Sequence, residues 1–187
     1  MQGGGTLTQA YGCTAWACAN HSEWDCPMRG CGCRFGFHAG IDIGAGYGTL
    51  LLAVGFGRVV QIGRLGGSCG GLGPQAVGIQ SGAMMIWYGH ASQALVRPGD
   101  LVQPGQAIAR MGSLGCSTGT HVHFEVDPLG NASGCASVDP NPYLSSWPGQ
   151  PPAPPPGPLP VPTPPAASAA PWALLAAAAL LIYAGRE

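Results

Sequence analysis

The chain has 187 residues, including 32 glycines and 19 prolines, with only 8% charged residues and a formal net charge of -1. That length holds one domain of ordinary size plus appendages, and so few charges leave little for long solvated helices. The seven basic residues are all arginine and are scattered, which excludes nucleic-acid binding, since that needs a clustered positive surface.

In chain order, residues 1–34 form a Cys- and Gly-rich lead-in without clear periodicity, and Met1–Thr14 lacks the basic start and apolar core of a secretory signal. Short apolar or alternating runs follow at Ile41–Ile43, Thr49–Val54, Arg58–Ile62, Ala76–Gln80, Met84–Tyr88, Ala107–Met111 and Val122–Val126, separated by glycine turns. With no amphipathic helix between them, these runs predict a mainly β domain over residues 35–147, an antiparallel sheet packed as a sandwich. Proline and alanine then take over, and residues 148–165 read as an extended, semi-rigid linker. Residues 166–187 are uncharged up to Arg186 and long enough, as a helix, to cross about 30 Å of hydrocarbon, with Trp172 and Tyr183 near the two interfaces. They are expected to be a transmembrane anchor, with a docked tail helix or a removable sorting signal as alternatives.

The eight cysteines point to an oxidising compartment. Cys13, Cys18, Cys26, Cys31 and Cys33 crowd the lead-in, and Cys69, Cys116 and Cys135 lie in loops. Disulfides are favoured over a second, structural zinc held by N-terminal thiolates with His21, because the spacings lack paired C-x2-C knuckles. Spacing alone does not assign the pairing.

Two pieces look like halves of one metal site: His38-Ala39-Gly40-Ile41-Asp42 and His121-Val122-His123. Neutral imidazole and carboxylate suit a borderline cation such as Zn2+, and catalytic sites use three such ligands with a fourth position open. His121, His123 and Glu125 sit in an alternating run, so a strand there would project all three from one face. Each piece alone has an ordinary structural explanation, a surface or core-edge histidine; their joint occurrence in a chain of five histidines is what carries weight.

The segments His38-x3-Asp42, Tyr88-Gly89-His90-Ala91-Ser92 and Ser117-Thr118-Gly119-Thr120-His121-Val122-His123-Phe124-Glu125, in this order, resemble the signature segments of the LytM/lysostaphin-like zinc metallopeptidases. The likeness runs from about Phe35 to Leu144 and includes Arg97-Pro98-Gly99-Asp100 and Val138-Asp139-Pro140-Asn141-Pro142-Tyr143. It implies a duplicated hybrid-motif sandwich, one catalytic Zn2+ on His38, Asp42 and His123, and non-ligand catalytic histidines at His90 and His121. It also implies hydrolysis of peptide crosslinks in bacterial peptidoglycan, with stem peptides as the substrate partner. Biotin- and lipoyl-carrier domains share the hybrid motif but need an acceptor lysine, which this chain lacks.

In this reading His90 and His121 take the water's proton, orient the nucleophile and stabilise the oxyanion, and Glu125 either orients a histidine or packs the end of the strand. The glycyl-glycine branch of the family carries a tyrosine shortly before its first ligand; here Gly30–Phe37 has no hydroxyl, which favours direct stem-peptide crosslinks over glycine bridges. Since peptidoglycan lies outside the membrane, the apolar tail as anchor gives an expected place at the bacterial cell envelope with the catalytic domain facing the wall; release by lysis or association with a virus particle is the alternative. A non-catalytic wall-interaction or virion structural protein is the competing reading, since some relatives have lost their ligands and activate other hydrolases.

Overall fold

The computed structural model describes residues 5–20, 37–66, 69–130 and 136–145, all within one compact unit, Met1–Ala153. Cys26, Cys31, Cys33, Cys135, His21, most of Gly30–Phe37, the linker 148–165 and the apolar tail 166–187 lie outside the described residues. Among the described residues no helix is long and apolar enough to cross a membrane.

The chain begins with β1 (Thr6–Gln9), β2 (Gly12–Cys13) and a short α1 (Ala15–Asn20), then β3 (Phe37–His38), β4 (Gly40–Gly44), β5 (Leu50–Leu52), β6 (Gly57–Arg64) and β7 (Gly73–Ser81). It continues with β8 (Met84–Tyr88), β9 (Gln93–Ala94), β10 (Leu101–Val102), β11 (Ala107–Arg110), β12 (His121–Pro128) and α2 (Asn141–Ser145). Seven strands form the main sheet in the order β1-β4-β12-β8-β7-β6-β10, and every pairing is antiparallel. A smaller sheet, β5-β11-β9, lies beside it, and β2 pairs with β3.

Each expected apolar run contains a strand, because β-branched and aromatic residues fit a pleated, packed surface, although β5 is shorter than the run Thr49–Val54 and β11 stops one residue before Met111. Connections are short where glycine supplies the backbone a turn needs. Gly82, the first of the two residues between Ser81 and Met84, has φ 57°, as a type II′ hairpin turn asks of that position. The lead-in is more ordered than its composition suggests: β1 pairs with β4 along Thr6–Gln9, and only that pairing makes its polar sequence a strand. Local patterning carried no such signal.

One face of the main sheet builds the core. Ile41, Val77, Ile79, Ile86, Tyr88, Val122, Phe124 and Val126 meet Leu51, Ile108, Ala109 and Met111 of the smaller sheet and its flank. The hydroxyl of Tyr88 is satisfied in this apolar setting by accepting the Val54 N–H at 2.9 Å. Alternation sends the odd-numbered residues of β12 to the opposite face. Those residues are His121, His123, Glu125 and Asp127, and the last three are buried too.

Disulfide bonding is present. Cys69 is joined to Cys116, and Cys13 is disulfide-bonded as well.

On the polar face Gly78 lies opposite Trp87, whose indole fills the space a side chain would need. A Cβ at position 78 would come within 2.7 Å of Trp87 Cζ3. Gly78→Ala should therefore cost about 1–3 kcal/mol by overpacking, whereas Gly46→Ala, whose Cβ meets nothing nearer than 3.8 Å, should stay within about 0.5 kcal/mol. Urea midpoints at equal m-value measure both.

Candidate metal centre

The β4–β12 ladder sets His123 directly opposite Asp42 and His121 opposite Gly44. Opposed residues on one face of an antiparallel pair have their Cβ atoms about 4.5–5.5 Å apart, so imidazole and carboxylate must meet. His38 reaches the same point from the end of β3, just before a bend at Ala39 that leads into β4. His38 Nε2 lies 3.2 Å from Asp42 Oδ1 and 3.1 Å from His123 Nδ1, and the third edge, His123 Nδ1 to Asp42 Oδ1, is 3.0 Å. Ligands about 2.0–2.2 Å from a tetrahedral ion stand roughly 3.3 Å from one another. A triangle of two imidazole nitrogens and one carboxylate oxygen thus has the size and chemistry of three zinc ligands, and these residues form a cluster able to hold a metal ion.

The nitrogens facing the triangle are selected by what holds the others. His38 Nδ1 donates to the Ala10 carbonyl at 2.8 Å, leaving Nε2 as the lone-pair nitrogen. His123 Nε2 faces Glu125 Oε2 at 3.3 Å, leaving Nδ1. Glu125 is held in turn by Arg64 at 3.0 Å, and the Arg64 guanidinium lies 5.0 Å over the Trp87 ring. Burial opposes the charge on Asp42, but hydrogen bonds from His123 and His38 hold its carboxyl far below the usual range. Burial works against the His123 imidazolium too, yet Asp42 and Glu125 raise its pKa to about 9, so a metal arriving at neutral pH must displace a proton there. Asp127 is pushed up to about 7 by burial and by the Glu125 carboxylate.

His90 and His121 stand beside the cluster, with ring centroids 4.7 Å apart, and His90 lies 5.9 Å from His123. Each has Nδ1 held by a backbone carbonyl: His90 donates to Leu114 at 2.8 Å and His121 to Gly119 at 2.9 Å. Nε2 is then the other nitrogen in both, and that of His121 lies 3.6 Å from Asp42 Oδ2 at the edge of the cluster. Burial and the neighbouring His123 push His90 down to about 4, so it is neutral at physiological pH and able to accept a proton. His90 also has φ 60°, a left-handed conformation that costs a non-glycine residue about 1–3 kcal/mol and persists only where surroundings impose it. Its N–H donates to Leu72 O at 2.7 Å, and its carbonyl accepts from Leu114 N at 3.4 Å.

The five sequence-predicted residues are thus gathered in one place, and Glu125 lies against His123. Sequence reasoning missed Ala10, Leu114, Gly119 and Arg64. The first three act through backbone carbonyls, which any residue type supplies, and Arg64 is distant in sequence. Gly40 was visible inside the first motif, but its purpose was not. A Cβ there would come within 2.5 Å of Phe124 O and 2.7 Å of His123 Nε2. Gly40→Ala should weaken zinc binding by about 10- to 100-fold, the range expected when an outer partner of a ligand is disturbed, with all three ligands intact. Competition with a chromophoric chelator measures it; unchanged affinity would mean the ring's seat is not critical.

The sequence profile of peptidase family M23 matches residues 36–140. Lysostaphin of Staphylococcus simulans is 34% identical over 115 residues, 62% of this chain and 23% of its own length. The murein hydrolase activator NlpD of Escherichia coli is 34% identical over 128 residues, 66% of this chain and 31% of its own. The chain therefore spans under a third of these curated relatives. Among solved structures, the catalytic domain of Staphylococcus simulans lysostaphin superposes with a TM-score of 0.57 at 29% identity, covering 76% of this chain and 93% of that one.

Proposed function

The chain belongs to peptidase family M23, and from that premise we propose that it is a zinc-dependent endopeptidase that hydrolyses peptide crosslinks of bacterial peptidoglycan. Kinship with both lysostaphin and a murein hydrolase activator carries the coarser statement, a peptidoglycan hydrolase or an activator of one. The observation that favours the hydrolase is the complete set: a three-atom triangle of metal-ligand size, with two further histidines beside it whose Nδ1 atoms are each held by a backbone carbonyl.

His38 through Nε2, Asp42 through Oδ1 and His123 through Nδ1 would hold one Zn2+. When bound, zinc supplies Lewis acidity that lowers the pKa of water toward about 7 and polarises a carbonyl. His90, kept neutral by burial, accepts the proton of the attacking water at Nε2. His121, beside it, accepts a hydrogen bond from the water at Nε2 and so orients it, and His90, once it holds the water's proton, donates to the oxygen that gains charge as the carbonyl becomes tetrahedral. Glu125 and Arg64 keep the His123 ring from turning. For the bond cleaved, the missing hydroxyl ahead of His38 favours direct stem-peptide crosslinks over glycine bridges.

Alanine substitution separates the roles. His38→Ala, Asp42→Ala and His123→Ala should lose both zinc and hydrolysis. His90→Ala and His121→Ala should keep zinc and lose hydrolysis by about 10²–10⁴-fold. Metal analysis beside turbidity loss of purified peptidoglycan reads both, and parallel assays on stem-peptide and pentaglycine crosslinks decide the bond. Stoichiometric zinc in the native protein with no hydrolysis of any crosslink would favour the activator instead.

Residues 166–187 are proposed to anchor this domain in a membrane at the cell envelope. The spacer 148–165, at about 3.1 Å per residue, would let it work up to about 56 Å from the bilayer. Such a tether confines hydrolysis to a thin zone of raised local concentration. Removing everything after Trp147 should release the protein from membranes and leave soluble muropeptides cleaved as before. Full-length protein that stays soluble when membranes are pelleted would refute the tether.

A further inference from the structure

Two loops meet beside His90, one between β6 and β7 and the other between β11 and β12. Neither has a large buried apolar side chain at the contact; Leu114 is 39% exposed. What joins them is the Cys116 N–H to Gly71 O hydrogen bond at 2.8 Å, a close glycine-on-glycine approach of Gly115 to Gly71, and the Cys69–Cys116 disulfide. The same two loops grip His90 from both sides. Leu72, three residues after Cys69, accepts its N–H, while Leu114, two residues before Cys116, accepts Nδ1–H and donates to its carbonyl. A left-handed histidine returns to ordinary backbone geometry once such a grip loosens.

We propose that the Cys69–Cys116 disulfide is the brace that positions His90, so that breaking this one bond lowers turnover while the metal stays bound. The inference rests on the reading of His90 as a catalytic residue. It also makes activity depend on redox state, because Cys69 is exposed and open to attack. With a dithiol such as dithiothreitol, a thiolate attacks one sulfur to give a mixed disulfide and the reagent's second thiol displaces it. The protein bond gains two electrons and two protons, becoming two thiols, and the reagent is oxidised to its cyclic disulfide. Among the described residues His38, Asp42 and His123 make no hydrogen bond to either loop, so the metal triangle is left intact.

The test compares the full chain with its Cys69→Ser/Cys116→Ser variant, which leaves the Cys13 bond untouched. Zinc content should stay at one per chain, while kcat on purified peptidoglycan falls about 10- to 100-fold, the scale expected when a catalytic group is displaced by an ångström or so. KM should change little. Dithiothreitol should reduce native kcat to a similar level, reversibly on reoxidation. The imidazole nitrogen shifts of His90 should move in the variant while those of His38 and His123 stay. Native turnover in the variant overturns the proposal, and so does loss of zinc in step with activity. If the double variant fails to fold, dithiothreitol reduction of the native protein takes its place, with alkylation and peptide mass mapping to identify the bonds opened, and native kcat with Cys69 and Cys116 both reduced overturns the brace. Full activity in His90→Ala would sink the catalytic reading itself, whereas an inactive His90→Ala beside a fully active disulfide variant would sink only the brace.

Discussion

The pairing of Asp42 with His123 across the β4–β12 ladder is the constraint on which the rest of the site depends. Two central strands, buried on the core side by Ile41, Val122, Phe124 and Val126, cannot slip without turning those residues into solvent. Register is therefore specified by hydrophobic burial on one face. The ligands on the other face inherit it at no further cost. A stiff, fully paired sheet is a good place for such a site, because its backbone is already ordered before any ligand arrives.

Around that pair the histidines share one device. Each has one ring nitrogen held by an oxygen of the protein: His38 by Ala10, His90 by Leu114, His121 by Gly119 and His123 by Glu125. This selects the tautomer, aims the other nitrogen and restricts rotation about the ring's bond to the chain. Three of the four oxygens are backbone carbonyls, which suits a chain with so few charged side chains. The Ala10 carbonyl comes from the lead-in, outside the span matched by the family profile. The N-terminal strand is thus tied to the metal centre as well as to the edge of the sheet.

The glycines of this chain divide into two physical uses. Some permit turns. Others, such as Gly40 and Gly78, have ordinary φ and serve by lacking a side chain, so that the His123 imidazole and the Trp87 indole can lie against the strand. Arg64 stacks on that indole and pairs with Glu125, so the space opened at Gly78 supports the His123 ring from a distance. Crosslinking through Cys69 and Cys116 does for the exposed loops what packing does for the sheet.

The sequence by itself determined the mainly β architecture and the approximate position of each central strand, because alternating apolar patterns report burial on one face locally. It also determined which residue types could hold a metal, since His38-x3-Asp42 and His121-x-His123 are readable as chemistry at short range. Tertiary structure alone decided the rest. The polar run Thr6–Gln9 is a strand only because β4 offers it an edge, and the Cys69–Cys116 pairing follows from the meeting of two loops. Which nitrogen of each histidine faces the centre depends on carbonyls at Ala10, Leu114 and Gly119, and a carbonyl leaves no mark in a sequence because every residue has one.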